Sequence, residues 1–246
     1  MTSSTPVAPA PAAKSSLWED FIDIFYAPSQ VFTRRRDGQF GLALLVLTVV
    51  AAVLFFAFRS AFEPVFDAQF DQGIRAQAAQ GQQLTPDQIA TGRRFAGIFA
   101  SVAGMLGTPI FVFVLGLLIW LAAKFFGSTA TLGQATMVST YANVPRILTS
   151  AIVGMLALFA DPGTLTTPAA LTLSPARFMS PDASPVVVAL LSRIDVTALW
   201  VAALLGIGIA IAGKIPRSKG LAAAGVVWLV GTLFALAGAA RQAAVG

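Results

Sequence analysis

Long apolar runs dominate this sequence and leave it few ways to fold. Four runs carry no charged residue, and a fifth carries only Arg146. About 20 apolar helical residues cross the hydrocarbon core of a bilayer, and lipid cannot hydrogen-bond a free backbone. We therefore predict an all-α fold, a polytopic membrane bundle with five transmembrane helices. The predicted spans are residues 40–58, 95–123, 132–160, 194–213 and 220–240.

The composition argues against a soluble fold. Hydrophobic residues make up 57% of the chain and charged residues 11%, whereas soluble domains carry about 25% charge. Too little polar surface is therefore left to cover a water-soluble core. Residues 1–14 are rich in Pro, Ala and Ser and have no apolar block, so they are predicted to be a disordered tail and not a signal peptide. Residues 15–240 form the predicted membrane domain.

Basic residues cluster on one predicted side of the membrane. Residues 34–36, all arginine, precede the first span, and Lys214, Arg217 and Lys219 fill the short loop between the last two spans. Dense clusters of Lys and Arg near the ends of spans stay in the cytoplasm. We therefore predict a cytoplasmic N-terminus and a C-terminus outside.

An amphipathic interfacial helix is predicted before the first span. Ser16 and Glu19 form a capping box, and apolar residues recur at helical spacing until Pro28 ends the pattern. An aromatic-rich helix beside a basic cluster suits the headgroup layer. The helix either only anchors the first span or packs on the bundle, or it responds to membrane shape or binds a partner. The candidate lipid or partner surface is Trp18, Phe21, Phe25, Arg34, Arg35, Arg36, Lys214, Arg217 and Lys219.

The third span contains the strongest polar group in an apolar region, namely Tyr141, Asn143, Pro145 and Arg146. If one helix runs over residues 132–160, Arg146 lies near its middle, where an arginine costs about 2.5–3.5 kcal/mol and suggests a functional site. If the span begins near position 144, Arg146 instead extends to the cytoplasmic surface. Pro145 and Pro109 each free a backbone carbonyl. These breaks either line a small polar cavity or only shape the packing.

Small residues recur every four positions in the last two spans. They are Ala198, Ala202, Gly206 and Ala210 in the fourth span and Gly231, Ala235 and Ala239 in the fifth. Small residues let helix backbones approach closely in lipid. We predict that these stripes pack inside the bundle, with a seam between copies of the chain as the alternative.

The polar connections contain three further helix signals. Thr85 and Gln88 form a second capping box ahead of the second span. Ser184 begins a short apolar helix that ends near Leu191 and is too short to cross a bilayer. Asp195 is placed to cap the fourth span.

The sequence offers little for catalysis. It has no His and no Cys, which removes the usual ligands of zinc and haem, the usual base of a serine hydrolase and any thiol nucleophile. It has no P-loop. Every acidic residue lies outside or at the edge of the predicted apolar runs, so the sequence offers no pair of acids inside the membrane for aspartyl chemistry. We therefore predict a protein that is not an enzyme, with no cofactor, no metal and no nucleic-acid partner.

The order of these features resembles a known family. The resemblance rests on these residues: Phe25 to Pro28 followed by Val31 and Phe32, Tyr141 to Pro145, Ile194 to Val196, Leu199 with Trp200, and Leu205 to Gly208. A basic loop and a small-residue last span follow. Over about residues 18–240 the chain resembles the Yip-domain family of five-span membrane proteins, in its bacterial branch. The Pro-rich outer loop and the Ala/Pro tail depart from that pattern.

The resemblance implies a function without a catalytic motif. Eukaryotic members have a cytoplasmic N-terminus and are tied to Rab-type GTPases and vesicle traffic, but a bacterium lacks that machinery, so a GTPase partner follows by analogy only. We expect a multi-pass protein of the bacterial cytoplasmic (inner) membrane. Its expected role is to organise lipid or bind partners, including copies of itself. The alternative is a small transporter or channel built around Arg146.

Overall fold

The computed structural model describes residues 16–165, 167–180 and 182–245, and these residues form helices, turns and loops without a β-strand. The predicted all-α fold is therefore confirmed. The predicted tail, residues 1–14, lies outside the described residues. The helices are α1 (Leu17–Asp23), α2 (Pro28–Arg34), α3 (Gly41–Ala79), α4 (Pro86–Phe125), α5 (Leu132–Ala142), α6 (Val144–Phe159), α7 (Pro185–Ser192), α8 (Val196–Gly213) and α9 (Arg217–Val245).

Five helical segments are long and apolar enough to cross a membrane: α3, α4, α5 together with α6, α8 and α9. This confirms the predicted number of spans. The third span is broken at Asn143, where one helix ends and the next begins. Pro145 follows at the start of α6, where its missing N–H costs no intrahelical hydrogen bond.

The first two spanning helices run well beyond the predicted spans. Within the polar stretch of residues 63–94 the sequence predicted a helix start at Thr85, and α4 does begin at Pro86. The continuation of α3 to Ala79 was not predicted. The extension of α3 is rich in Ala and Gln, which favour helix, and Phe62, Phe66 and Phe70 recur in it at helical spacing. Arg93 of α4 forms ion pairs with Asp67 and Asp71 of α3. The two helices therefore form a hairpin that is longer than a bilayer is thick.

The predicted helix starts are confirmed, whereas one predicted helix end is wrong. Both capping boxes are present, at Ser16 and at Thr85, and the Asp195 carboxylate caps α8 by accepting a hydrogen bond from a backbone N–H. The first helix ends at Asp23 and not at Pro28. Pro28 begins α2 instead, because its fixed φ suits the first turn of a helix.

Helix α8 occupies the centre of the bundle. It is the most buried of the five spans and contacts α2, α4, α5, α6 and α9. It crosses α9 closely, because a Cβ added to Gly206 would lie 2.8 Å from the Cα of Leu221, and one added to Gly220 would lie 2.3 Å from the carbonyl oxygen of Gly206. Glycine is therefore required on both sides of this crossing.

Candidate functional site

A buried carboxylate holds the two N-terminal helices, α1 and α2, together at one end of the bundle. Asp20 of α1 is fully buried. Its carboxylate oxygens lie 2.8 Å from Nη2 of Arg34 and 2.5 Å from Nη2 of Arg35, both at the C-terminal end of α2. A buried carboxylate requires such partners, since burial of an unpaired charge is very costly. The two short helices are thus joined into one unit.

Asp20 belongs, with Glu19 and Asp23, to the acidic residues that an amphipathic α1 would be expected to carry on its polar face. The structure shows that it lies on the inner face. The signal was present in the spacing, because Asp20 lies three residues after Leu17 and four residues before Ile24, which both face the core. An acid on the apolar stripe of a helix indicates a buried ion pair.

Helix α1 and the turn that follows it have an inner aromatic face and an outer apolar face. The Phe21 ring lies edge-on to Tyr141, with centroids 6.2 Å apart, and the Phe25 ring lies edge-on to Trp200 at 5.5 Å. On the outer face Trp18, Ile22 and Tyr26 follow one another at intervals of four residues. They are 65%, 61% and 70% exposed. The inner rings hold the helix on the bundle, and the outer stripe faces the surroundings.

Asp23 and Tyr26 form a polar link at the edge of the outer stripe. The Tyr26 hydroxyl donates a hydrogen bond of 2.5 Å to Asp23, and Arg34 donates another to the same carboxylate. The Tyr26 hydrogen bond, with the Arg34 hydrogen bond second, lowers the pKa of Asp23 below its usual value. The same bond raises the pKa of Tyr26, because the neutral phenol is the donor.

The basic loop after α8 adjoins α2. Lys214 ends α8 in the left-handed conformation with a φ of 53°, and Arg217 Nη2 lies 3.5 Å from the hydroxyl oxygen of Ser29. Lys214, Arg217 and Ser29 line an open cavity of about 520 Å³. Lys219 and Arg36 are exposed as well. The backbone carbonyl of Arg36 accepts a hydrogen bond from the Gln134 side chain. Arg34 and Arg35, by contrast, are engaged with Asp20.

The polar residues of the third span divide between two surroundings. Tyr141 is buried against Phe21, and Pro145 is buried as well. Asn143 and Arg146 line a cavity of about 230 Å³ between α3, α4 and α6, where Thr108 joins them. Arg146 also lines a second cavity of about 440 Å³, which reaches to Asp195 at the start of α8.

The small residues of the last two spans also differ in their surroundings. Gly206 and Ala210 pack against the first turn of α9. Ala198 lines the larger cavity beside Arg146, and a Cβ added to Gly231 would lie 3.5 Å from the Arg193 guanidinium. Ala202 and Ala235 are half-buried, and Ala239 is buried.

The described residues contain no group of three or more His, Asp or Glu side chains that could hold a metal ion. Four of their carboxylates have structural roles: Asp20 joins helices, Asp195 caps α8, and Asp67 and Asp71 pair with Arg93.

Comparison with known proteins assigns the chain to a family. Neither the curated proteins nor the solved structures yield a match. The Yip1 domain family matches residues 22–239, which include the first four spans, most of the fifth and only the last two residues of α1. The chain therefore belongs to the Yip1 domain family of multi-pass membrane proteins.

Proposed function

We propose that this protein is a non-enzymatic scaffold that binds a membrane-proximal partner or lipid at the end of the bundle that carries α1 and α2. We place it in the cytoplasmic membrane of a bacterium with that end in the cytoplasm. The observation that carries the proposal is the Asp20 ion pair. It fixes α1 so that the stripe Trp18, Ile22 and Tyr26 is presented outward in one orientation.

The charges around this stripe support the proposal. Lys214, Arg217, Lys219 and Arg36 are exposed at the same end of the bundle, and basic residues near an anionic membrane surface contribute about 1 kcal/mol each. Aromatic side chains are the usual anchors of binding surfaces. A small GTPase is the partner class of eukaryotic relatives, and we do not extend it to this chain.

Photo-crosslinking in cells tests the scaffold. A photoreactive amino acid placed at Ile22, on the outer stripe, is compared with one at Phe25, two residues after α1, whose ring packs on Trp200. We expect adducts from position 22 and from Arg217, with only intramolecular adducts from position 25. A recurrent protein adduct supports partner binding, and a lipid adduct supports membrane organisation. Equal adducts from positions 22 and 25 would contradict an outward-facing binding surface.

A second candidate function is passage of a small solute, and the two cavities that meet at Arg146 favour it. The chain has no Cys, so single cysteines can be introduced without a background. Cysteine at Ser150, which lines both cavities, should react with a membrane-impermeant thiol reagent if water reaches this depth. Cysteine at Leu148, on the same helix but outside both cavities, is the control. Equal protection of both positions would exclude an aqueous path.

A further inference from the structure

Arg146 is a cation at the middle of a span without a carboxylate partner. It lies 14 residues after the start of the third span and 13 before its end, about 20 Å from either end at 1.5 Å per residue. Among the described residues no carboxylate lies within ion-pairing distance of it. Its guanidinium carbon lies 4.6 Å from the centroid of the Phe111 ring. That contact orients the guanidinium and leaves its N–H donors available.

The charged groups nearest to Arg146 are committed elsewhere. Asp195 lines the same cavity, but its two oxygens accept backbone N–H hydrogen bonds from Ala198 at 2.9 Å and Leu173 at 3.0 Å. The Asp195 charge therefore serves the first turn of α8. Arg193 donates to the hydroxyl of Thr232 at 3.0 Å. Among the described residues, the Arg146 guanidinium thus has no ion pair and no side-chain hydrogen bond, although its charge interacts at longer range with Asp195.

The two cavities beside Arg146 combine polar and apolar walls. Ser150 is exposed and lines both cavities together with Arg146. Hydroxyl groups of Thr149 and Thr197, 2.7 Å apart, join α6 to α8 at the floor of the larger cavity. Phe55 and Phe58 of α3 form an apolar wall opposite them. Such a lining suits an amphiphile with a charged head and an apolar body.

Asn143 supplies a second, independent polar group. It is only 4% exposed and lines the smaller cavity with Arg146. Its Nδ2 donates to the Ser139 carbonyl at 2.7 Å, whereas its Oδ1 is buried without a hydrogen-bond partner in the described part of the chain. A buried acceptor of this kind calls for a donor. A ligand that fits both residues carries an oxyanion for Arg146 and a hydroxyl or ammonium donor for Asn143.

We infer that the cavities flanking Arg146 bind a phosphate oxyanion within the membrane, either on a phospholipid headgroup or as a free phosphate. Guanidinium is the side-chain group that matches phosphate through two parallel hydrogen bonds. Basic pockets between spanning helices bind anionic headgroups at the membrane surface. A headgroup at Arg146 would have to enter the larger cavity, where Phe55 and Phe58 would contact the apolar parts of the lipid. This site lies apart from the scaffold surface at α1 and does not depend on it.

The test compares two arginines in the spanning helices. The Arg146→Gln variant removes the charge that has no carboxylate partner. The Arg59→Gln variant is the matched control, because Arg59 already donates to the Ser101 hydroxyl at 2.6 Å and to the Gly97 carbonyl. Each full-length protein is reconstituted in phosphatidylcholine nanodiscs with increasing phosphatidylglycerol. Retained phosphatidylglycerol is measured by mass spectrometry, and inorganic phosphate is titrated separately by calorimetry.

We expect retention of phosphatidylglycerol by the wild-type protein and by Arg59→Gln, and a loss of affinity of about tenfold or more in Arg146→Gln. Asn143→Leu should lose less. Binding of inorganic phosphate with the same dependence on Arg146 identifies a free anion as the ligand. Binding of the lipid alone identifies the headgroup. If neither probe binds in an Arg146-dependent manner while all variants remain folded and monodisperse, the inference is overturned.

We expect the Arg146→Gln variant to fold. Replacing Arg146 breaks no ion pair and no hydrogen bond within the described residues. Thermal unfolding in phosphatidylcholine alone should therefore be unchanged or higher in Arg146→Gln, because the cost of a charge in the membrane is removed. Added phosphatidylglycerol should raise the unfolding temperature of the wild-type protein and of Arg59→Gln, but not that of Arg146→Gln.

Discussion

Asp20 illustrates how a single buried residue can determine what a surface presents. Its side chain is inaccessible, and its two arginine partners keep 31% and 20% of their side chains exposed. The arginines therefore retain part of their hydration while the carboxylate has none. Removing the carboxylate leaves two cations beside one another at the end of α2. The position of α1, and with it the outer stripe, depends on this residue.

We predict that Asp20→Ala detaches α1 from the bundle. The loss should be about 2 kcal/mol, less than for a fully buried pair because both arginines can turn toward water. Limited proteolysis within residues 16–27 and Trp18 fluorescence report the detachment. Asp23→Asn is the control, since Asp23 is only an outer link. Wild-type protease resistance in Asp20→Ala would show that the aromatic contacts suffice.

The link between Tyr26 and Asp23 predicts a pH dependence at both extremes. The pKa of Asp23 is lowered in the folded protein, so its contribution is present above about pH 4 and is lost as the pH falls further. The pKa of Tyr26 is raised, so its contribution is present below about pH 10 and is lost as the pH rises beyond that value. Trp18 fluorescence should change in both windows and stay constant between them. Tyr26→Phe should abolish the alkaline change, and an unaltered alkaline change would assign it to another group.

At the scale of elements, the crossing of α8 and α9 shows why short side chains recur in these helices. Lipid provides no hydrophobic drive between helices, so close contact of backbones supplies the attraction. Gly206 and Gly220 face one another at this crossing. Any larger side chain there would force the helices apart, at the most buried helix of the bundle.

We predict that Gly206→Val destabilises the protein by about 1–3 kcal/mol, the usual cost of overpacking. Gly225→Ala is the control, because a Cβ at Gly225 would meet nothing within 4 Å. Thermal unfolding in detergent, followed by circular dichroism, compares the two variants. Equal unfolding temperatures would mean that the crossing adjusts without cost.

The sequence predicted most elements but not how they meet. Apolar runs and capping residues are local signals, so the five spans, the two capping boxes and the short helix at Pro185 were predictable. The extension of α3 to Ala79 was not, because Pro64 and the many polar residues obscured the helical spacing of Phe62, Phe66 and Phe70. The partners of Asp20 lie 14 and 15 residues away and are set by a turn that local patterns do not reveal.

The same limit applies to the candidate site. Asn143 and Arg146 stood out because polar residues are rare in spans. Tyr141 stood beside them in the sequence but faces a different side of the third span, where Phe21 covers it. The contributions of Phe55, Thr108 and Ser150 to the cavities follow from tertiary packing. No spacing within one helix could reveal them.

At the scale of the whole molecule, the two ends of the bundle differ in character. One end carries α1, α2 and the basic loop, and the other carries the α3–α4 hairpin and the connection between α6 and α8. The first is compact against the spans. The second extends away from them, since α3 has 20 residues between Ser60 and Ala79, about 30 Å of helix.

We predict that the two ends lie on opposite sides of the membrane, with the hairpin outside. A cysteine at Gln82, in the turn between α3 and α4, should be labelled by an impermeant maleimide added to intact cells. A cysteine at Lys219 should be labelled only after permeabilisation. Both positions are exposed, so access to the reagent is the only difference. The reverse pattern would invert the orientation.

The α3–α4 hairpin is long enough that a small tilt at the membrane surface would displace its tip substantially. Its helices are continuous from the membrane to the turn, and each has a fixed end inside the bundle, where α4 packs against α5 and α9 and α3 against α6. A tilt of about 10° at the surface would move a tip about 30 Å away by roughly 5 Å. Phe111 lies on α4, and Arg146 lies on α6, which packs against α3. Small adjustments around the cavities would therefore be magnified on the far side of the bilayer, where a distance probe on Gln82 could register them.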